Sequence, residues 1–330
     1  MNRTFKLLAL AASTLAASTF ASAANYTLCS SNGCTNGGSA TVTSSFAQTK
    51  YPIVLAHGMG GFSQVGPLGY FYGMPADLTS NGATVFVTQV VSFGSSITRG
   101  EMLLAQVKQI EAITGARKVN IMGHSQGVLD ARYVAAVAPT LVASVSGVGG
   151  PNTGSPVADV IEGASSVVGA FPSAVVADIV NAFFNLIDAT SGDAYQNDAL
   201  AGLSFLTSAA AASYNASFPQ ALPSSSNPCG QGAATVNGIN YYSWGGTGHL
   251  TNPLDISDPI LGLTGLAFGS TANDGLVGQC SSHLGVVLRD NYNMNHLDEI
   301  NQLLGLVSIF ETSPVTLFRN QANRLKVAGL

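Results

Sequence analysis

Gly123-His124-Ser125-Gln126-Gly127 follows directly on the apolar run Val119-Asn120-Ile121-Met122, and Gln126 to Val137 can continue as a helix. A strand, a sharp turn and a helix in that order force the serine into a strained backbone conformation. Glycines two residues to either side let neighbouring chain pack closely enough to tolerate it. Ser125 is thereby singled out as a candidate nucleophile. The five-residue string alone arises by chance in a chain with 37 glycines among 330 residues; the strand before it and the helix after it set this occurrence apart.

The surrounding pattern supports that context. Pro52 to Ala56 is an apolar strand, His57 to Gly61 a turn, Met74 to Leu78 a helix candidate and Thr84 to Thr88 another strand. Thr98 to Thr114 reads as a helix, with Met102, Leu103, Val107, Ile110 and Ile113 near a 3.6 period. A further strand follows at Leu141 to Ser146. Near-continuous apolar strands separated by helices predict an α/β class with a mainly parallel sheet covered on both faces. Residues 24–50, rich in Ser, Thr, Asn and Gly, read as a loose arm. Between about residues 155 and 212 the chain turns Ala-, Val- and Ser-rich. There Val175, Ile179, Ala182 and Phe183 share one helical face, with Val176, Val180, Phe184 and Ile187 beside it. Such a helix is either core or waiting for a nonpolar partner, and its place between the serine and the later acid and histidine points to a mobile lid. No repeat or charged linker marks a second domain, so residues 24–330 are expected to form one catalytic domain with a lid insertion.

Arg3 and Lys6, the apolar run Leu7 to Ala17 and the small residues Ala21-Ser22-Ala23 have the layout of a secretory signal peptide over residues 1–23. The run is too short to cross a membrane, so an integral membrane protein is not expected. Only 9% of residues are charged and 46% are hydrophobic, which suits either a protein working on greasy material or an Ala- and Gly-rich core. A net charge of -5 and no basic cluster exclude a nucleic-acid partner. Four cysteines in an exported chain predict disulfides, and proximity pairs Cys29 with Cys34 and Cys229 with Cys280. The second pair closes a loop of roughly 50 residues, worth about 4 kcal/mol by chain entropy. Neither pair has the spacing or histidine partners of a zinc site.

A serine hydroxyl needs a base, and the base needs an acid to fix its tautomer. After a nucleophile elbow the order is serine, acid, histidine. Among the five histidines, His296 follows Asp274 of Thr271-Ala272-Asn273-Asp274-Gly275, an acid placed after the apolar stretch Leu263 to Phe268 as if at a strand's end. His283 also follows Asp274 and remains an alternative base. His249 precedes it and would need another acid such as Asp193 or Asp198. His124, inside the elbow, should point away from the serine, and His57 should hold its own turn. The backbone N–H groups of Gln126 and Met59 are the candidate oxyanion donors, Met59 having glycines on both sides. The same turn lacks the Lys-Ser/Thr ending of a phosphate loop.

With these residues in place the chain resembles the bacterial family I true lipases of the Pseudomonas and Burkholderia type. The likeness runs from about Tyr51 to the C-terminus and is dense at His57-Gly58-Met59, Gly123 to Gly127, Tyr241-Tyr242-Ser243-Trp244, Ala272 to Val277, Cys280 to Gly285 and Asn295 to Glu299. It implies an α/β-hydrolase fold, with Ser125 as nucleophile, Asp274 as acid, His296 as base, and the N–H groups of Met59 and Gln126 as oxyanion donors. A structural Ca2+ held by the carboxylates of Asp255 and Asp298 and the carbonyls of Gln302 and Leu306 is also implied. So are a single bridge between Cys229 and Cys280, a cis Gln302-Leu303 bond, and a lid helix over residues 167–187. Export through the periplasm with a dedicated membrane-anchored foldase completes the implied set. Two departures stand out: Val128 replaces a glycine common after the elbow, and Cys29 and Cys34 lie outside the usual bridge. The expectation is a secreted triacylglycerol lipase acting on long-chain esters at a lipid-water interface. A carboxylesterase or polyester depolymerase on the same fold, and a noncatalytic lipid-binding protein, are the competing readings.

Overall fold

The computed structural model describes residues 22–66, 68–163, 172–191 (backbone alone for 186–191), 200 and 202–330. The proposed signal peptide, save its last two residues, lies outside the described residues. Eleven strands and eight α-helices are described. The strands are β1 (Ala23–Ser30), β2 (Gly33–Thr41), β3 (Ile53–Ala56), β4 (Gln64–Val65), β5 (Leu68–Gly69), β6 (Val85–Thr88), β7 (Val119–His124), β8 (Val142–Val148), β9 (Thr235–Val236), β10 (Ile239–Gly246) and β11 (Val286–Tyr292). The helices are α1 (Met74–Ser80), α2 (Ser96–Thr114), α3 (Gln126–Val137), α4 (Pro156–Ile161), α5 (Ser173–Ser191), α6 (Ser208–Ser217), α7 (Ser257–Thr264) and α8 (Pro314–Val327).

The main sheet runs in the order β11-β10-β8-β7-β3-β6-β1-β2, with β9 beside β10. From β11 to β1 all neighbours are parallel. Successive side chains on a strand leave opposite faces, and β3 shows the consequence. Val54 and Ala56 pack with Leu103, Val107 and Ile110 of α2 and Val128, Ala131 and Val134 of α3. Ile53 and Leu55 pack on the other side with Leu78 of α1 and Phe318 and Leu325 of α8. Both faces are thus covered, which is why these strands read as unbroken apolar runs. Helix α2 begins where the Ser95 hydroxyl accepts the Thr98 N–H at 3.0 Å and ends at Gly115, whose φ of 69° is left-handed.

Two expectations are corrected. Residues 24–50 are no loose arm: β1 and β2 pair antiparallel with Cys29 opposite Cys34, and β1 pairs parallel with β6. Gly37 and Gly38 leave room for the Tyr26 side chain, since a Cβ at Gly37 would lie 2.6 Å from its ring and one at Gly38 2.6 Å from its hydroxyl. The Leu263 to Phe268 stretch is no strand; it ends α7 and continues as a 3-10 turn over Gly265–Phe268. Both paired cysteines form bridges, Cys29–Cys34 and Cys229–Cys280. Among the described residues no helix is long and apolar enough to cross a membrane.

Candidate active site

The C-terminal ends of three parallel strands deliver Met59, Ser125 and His296 to one apolar cavity. Ser125, between β7 and α3, has φ 55° and ψ -129°, a backbone strained for any residue with a side chain. The flanking glycines are explained by what they touch. A Cβ at Gly123 would lie 2.4 Å from the Gly127 carbonyl oxygen, and one at Gly127 would lie 2.3 Å from that of Ala56. The Val128 side chain is fully buried and fills the space left by Gly147 and Gly150, whose Cβ atoms would lie 3.0 and 2.7 Å from its methyl groups. The departure at Val128 is therefore matched by glycines opposite it.

His296 follows β11, and its Nδ1 lies 2.7 Å from Asp274 Oδ2, both side chains being buried. Asp274 Oδ1 accepts the backbone N–H groups of Leu276 and Val277 at 2.9 and 2.7 Å, which fixes the carboxylate. The His296 N–H also donates to the Asp274 carbonyl oxygen at 2.9 Å, joining the two loops through main chain. Ser125, His296 and Met59 all line a cavity of about 140 Å³, together with Phe183 of α5 and apolar residues such as Val157, Leu206 and Leu276. Helix α5 turns Ile179, Ala182 and Phe183 inward, and Ile179 and Phe183 pack with Leu129, Val157, Leu206 and Phe268. The segments 164–171 and 192–199, which the lid expectation also covers, lie outside the described residues.

The turn after β3 is held from several sides. The His57 Nδ1 proton goes to the Gly58 carbonyl at 2.8 Å, and the Val90 N–H donates to His57 Nε2 at 3.3 Å. The buried Arg99 guanidinium donates to the carbonyls of His57 at 2.6 Å and Gly58 at 3.2 Å, while its Nε pairs with Asp130 of α3 at 2.9 Å. C=O and N–H of a trans peptide point in opposite directions, so gripping the Gly58 carbonyl fixes the direction of the Met59 N–H. A Cβ on Gly58 itself would fall 2.7 Å from the Ser125 Cβ, so the turn approaches the elbow where a side chain cannot fit. Gln126, at the N-terminus of α3, anchors its amide on Gly94 O and Ser96 Oγ.

Arg99 was not among the sequence-level candidates. Its signal was a charge in step with Leu103, Val107 and Ile110 on the apolar stripe of α2. Tyr70, His124 and Glu299 also form a buried polar group beside the pair. His124, His296 and Glu299 offer ligand atoms within 4.8 Å of one another, but both His124 nitrogens are taken up in hydrogen bonds. The remaining histidines stand elsewhere: His283 Nε2 pairs with Asp290 at 2.9 Å, and His249 Nε2 with Asn273 Oδ1 at 2.7 Å.

Asp255 and Asp298 form a second candidate site. Asp255 Oδ1 accepts the Ser257 N–H and hydroxyl, each at 2.8 Å, and Asp298 Oδ2 accepts the Asn295 N–H at 3.0 Å. Their other oxygens, Asp255 Oδ2 and Asp298 Oδ1, are buried with no hydrogen-bond partner, as is Gln302 Oε1. Burial, with Asp255 close by, pushes the Asp298 carboxyl up to about 7. Paired orphan carboxylate oxygens are the donor set of a hard cation. The Gln302-Leu303 bond is cis.

Comparison with known proteins agrees with this architecture. Residues 51–300 match the family model of the alpha/beta hydrolase fold. The chain is 51% identical to a triacylglycerol lipase of Vibrio cholerae, over 86% of this chain and 90% of that one. It is 40% identical to a triacylglycerol lipase of Burkholderia plantarii, over 88% and 90%. Among solved structures, the mature lipase BlEst2 of Bacillus licheniformis shares the fold at TM-score 0.55 and 18% identity, covering 84% of this chain and 93% of that one. The chain belongs to the alpha/beta hydrolase family and, within it, to the bacterial triacylglycerol lipases.

Proposed function

We propose that this protein hydrolyses long-chain carboxylic esters of glycerol through Ser125, His296 and Asp274. The observation that carries the reading is the 2.7 Å contact between His296 Nδ1 and Asp274, with Ser125 on the same cavity in an elbow that glycines make room for. With Nδ1–H engaged by the carboxylate, Nε2 keeps the lone pair that takes the Ser125 proton. The serine oxygen then attacks the ester carbonyl, and the negative charge that forms on the substrate oxygen is met by the N–H groups of Met59 and Gln126. His296 returns the proton to the departing alcohol. Water, deprotonated by His296 in turn, releases the fatty acid and restores Ser125. The apolar lining accommodates an acyl chain, and α5, which lays Phe183 over the cavity, is the lid that must move to admit it.

The orphaned oxygens of Asp255 and Asp298 fit a structural Ca2+, with the carbonyls of Gln302 and Leu306 as further ligands. The ion would supply positive charge to buried carboxylates and tie the loop after His296 to the loop before α7. Its removal is expected to lower the melting temperature. From the layout of residues 1–23 we also propose a cleaved signal peptide, and from the family resemblance release outside the cell and folding aided by a dedicated foldase.

Ser125→Ala should cut turnover of emulsified long-chain triglycerides by roughly 10^4-fold or more while near-UV circular dichroism stays that of the wild type. Retained turnover in the folded variant would refute the triad. A rate on short soluble esters far above that on triglycerides would instead favour a carboxylesterase.

A further inference from the structure

The His124 side chain takes no part in the chemistry above, yet it is fully buried and both of its ring nitrogens are engaged. Nδ1 lies 2.7 Å from the Tyr70 hydroxyl, and Nε2 lies 3.0 Å from the main-chain oxygen of His296. The Tyr70 hydroxyl in turn accepts the Gly58 N–H at 3.0 Å. Proton accounting sets the direction of every bond. A carbonyl oxygen can only accept, so Nε2 carries the ring proton. A neutral imidazole then presents a lone pair at Nδ1, so Tyr70 donates there and keeps its own lone pairs for the Gly58 N–H. Burial first, and the nearby His296 second, hold His124 well below the ordinary histidine range, which keeps the ring neutral as the chain of bonds requires.

We propose that Tyr70 and His124 are positioning residues for the ester hydrolysis, forming a directed hydrogen-bond chain from the Gly58 N–H through both side chains to the His296 carbonyl. Each point it ties adjoins a reacting group: Gly58 precedes Met59, His124 precedes Ser125, and the last acceptor belongs to the base itself. Arg99 and His57 hold the carbonyl of Gly58 and Tyr70 holds its N–H, so the peptides on both sides of Gly58 are clamped. The chain thereby sets the separation of three loops that approach from different strands. Glu299 Oε2, 3.4 Å from His124 Nε2, stands beside the last link while Glu299 Oε1 accepts the Gly246 N–H.

This inference rests on the reading of Ser125, His296 and Met59 as the reacting groups, and its test has one arm that does not. Tyr70→Phe keeps the ring, whose centroid lies 5.7 Å from that of His124, and deletes only the hydroxyl. On p-nitrophenyl butyrate its kcat is expected to fall about tenfold to a hundredfold with KM within about twofold. A kcat within twofold of the wild type overturns the proposal, and so does a loss confined to KM, which would make Tyr70 a substrate contact. The second arm is 15N-histidine NMR of the wild-type protein at pH 7 without substrate. The neutral tautomer with its proton on Nε2 is expected for His124; a proton on Nδ1, or a charged ring, overturns the directed chain whether or not Tyr70→Phe folds. Turnover by Ser125→Ala would instead sink the triad reading and leave the NMR result standing.

Discussion

His57 is a ring that the fold needs uncharged. Its Nδ1 proton is committed to the Gly58 carbonyl and its Nε2 accepts from Val90; burial, with Arg99 close by, pushes its pKa down to about 3. In the unfolded chain the same ring titrates near ~6.5. Between those values the unfolded chain binds a proton that the folded one refuses. The contribution is therefore complete above about pH 6.5 and is lost as pH falls, by about 1.4 kcal/mol per pH unit. Asp298 and Glu299, whose carboxyls burial raises, pull the other way over part of that range and blur the wild-type curve. His57→Gln keeps a polar group at the site and removes the titration. The gap in unfolding free energy between wild type and His57→Gln, followed by urea from pH 7 to pH 5, should narrow by about that slope below pH 6.5. A gap independent of pH would contradict a ring held neutral.

At the scale of elements, α3 and the chain leaving β8 share a fit set by Val128 and Gly150. A Cβ on Gly150 would lie 2.7 Å from a Val128 methyl group, closer than real contacts allow, and Val128 on a buried helix has little freedom to turn away. Gly150→Ala is expected to cost about 1–3 kcal/mol by overpacking. Val128→Ala alone should lose about 1–2 kcal/mol through the cavity it leaves. Combined, the two fill one another's space, so the double variant should be more stable than the sum of the single losses by at least about 0.5 kcal/mol in urea unfolding. Simple additivity would mean that the backbone shifts instead. Elements were legible in the sequence wherever burial made a pattern. β3, β6, β7 and β8 announce themselves because helices cover both faces, and α3 because the elbow fixes its start. The β1–β2 hairpin stayed hidden because Cys29 is its one buried residue, so no alternation marks it. Leu263 to Phe268 misled because a short apolar run has no period of its own. Among site residues, Ser125, Asp274 and His296 could be ordered along the chain. Tyr70, Arg99 and Glu299 could not, since their part lies in contacts across 30 to 200 residues, such as Tyr70 with His124 and His124 with His296.

Over the whole molecule, the parallel sheet carries Met59, Ser125 and His296 on the loops that leave β3, β7 and β11, and long connections must then hold those loops still. The loop bearing Asp274 lies between two braces. On one side is the Cys229–Cys280 bridge, spanning 51 residues of sequence; on the other are the loops before α7 and after β11. The first loop is stitched to the second by Asn252 Nδ2 to the Val307 carbonyl at 3.0 Å, and the second to the start of α7 by Asn295 Nδ2 to Asp258 Oδ1 at 2.8 Å. Between them stand the unpartnered oxygens of Asp255 and Asp298, two neighbouring carboxyls that the hydrogen bonds leave with an oxygen each unsatisfied. Cation binding to the folded state alone stabilises it by mass action, about 2.7 kcal/mol at a hundred times the dissociation constant. The melting temperature should therefore climb with CaCl2 and fall by several degrees in EDTA, as read by calorimetry. Asp255→Asn keeps an oxygen for the Ser257 donors and removes a charge. It should melt near the chelated wild type and gain nothing from added calcium. Equal melting of the wild type with calcium and with EDTA would mean that the two carboxylates hold no ion, and that the bridge and the hydrogen bonds brace the histidine loop by themselves.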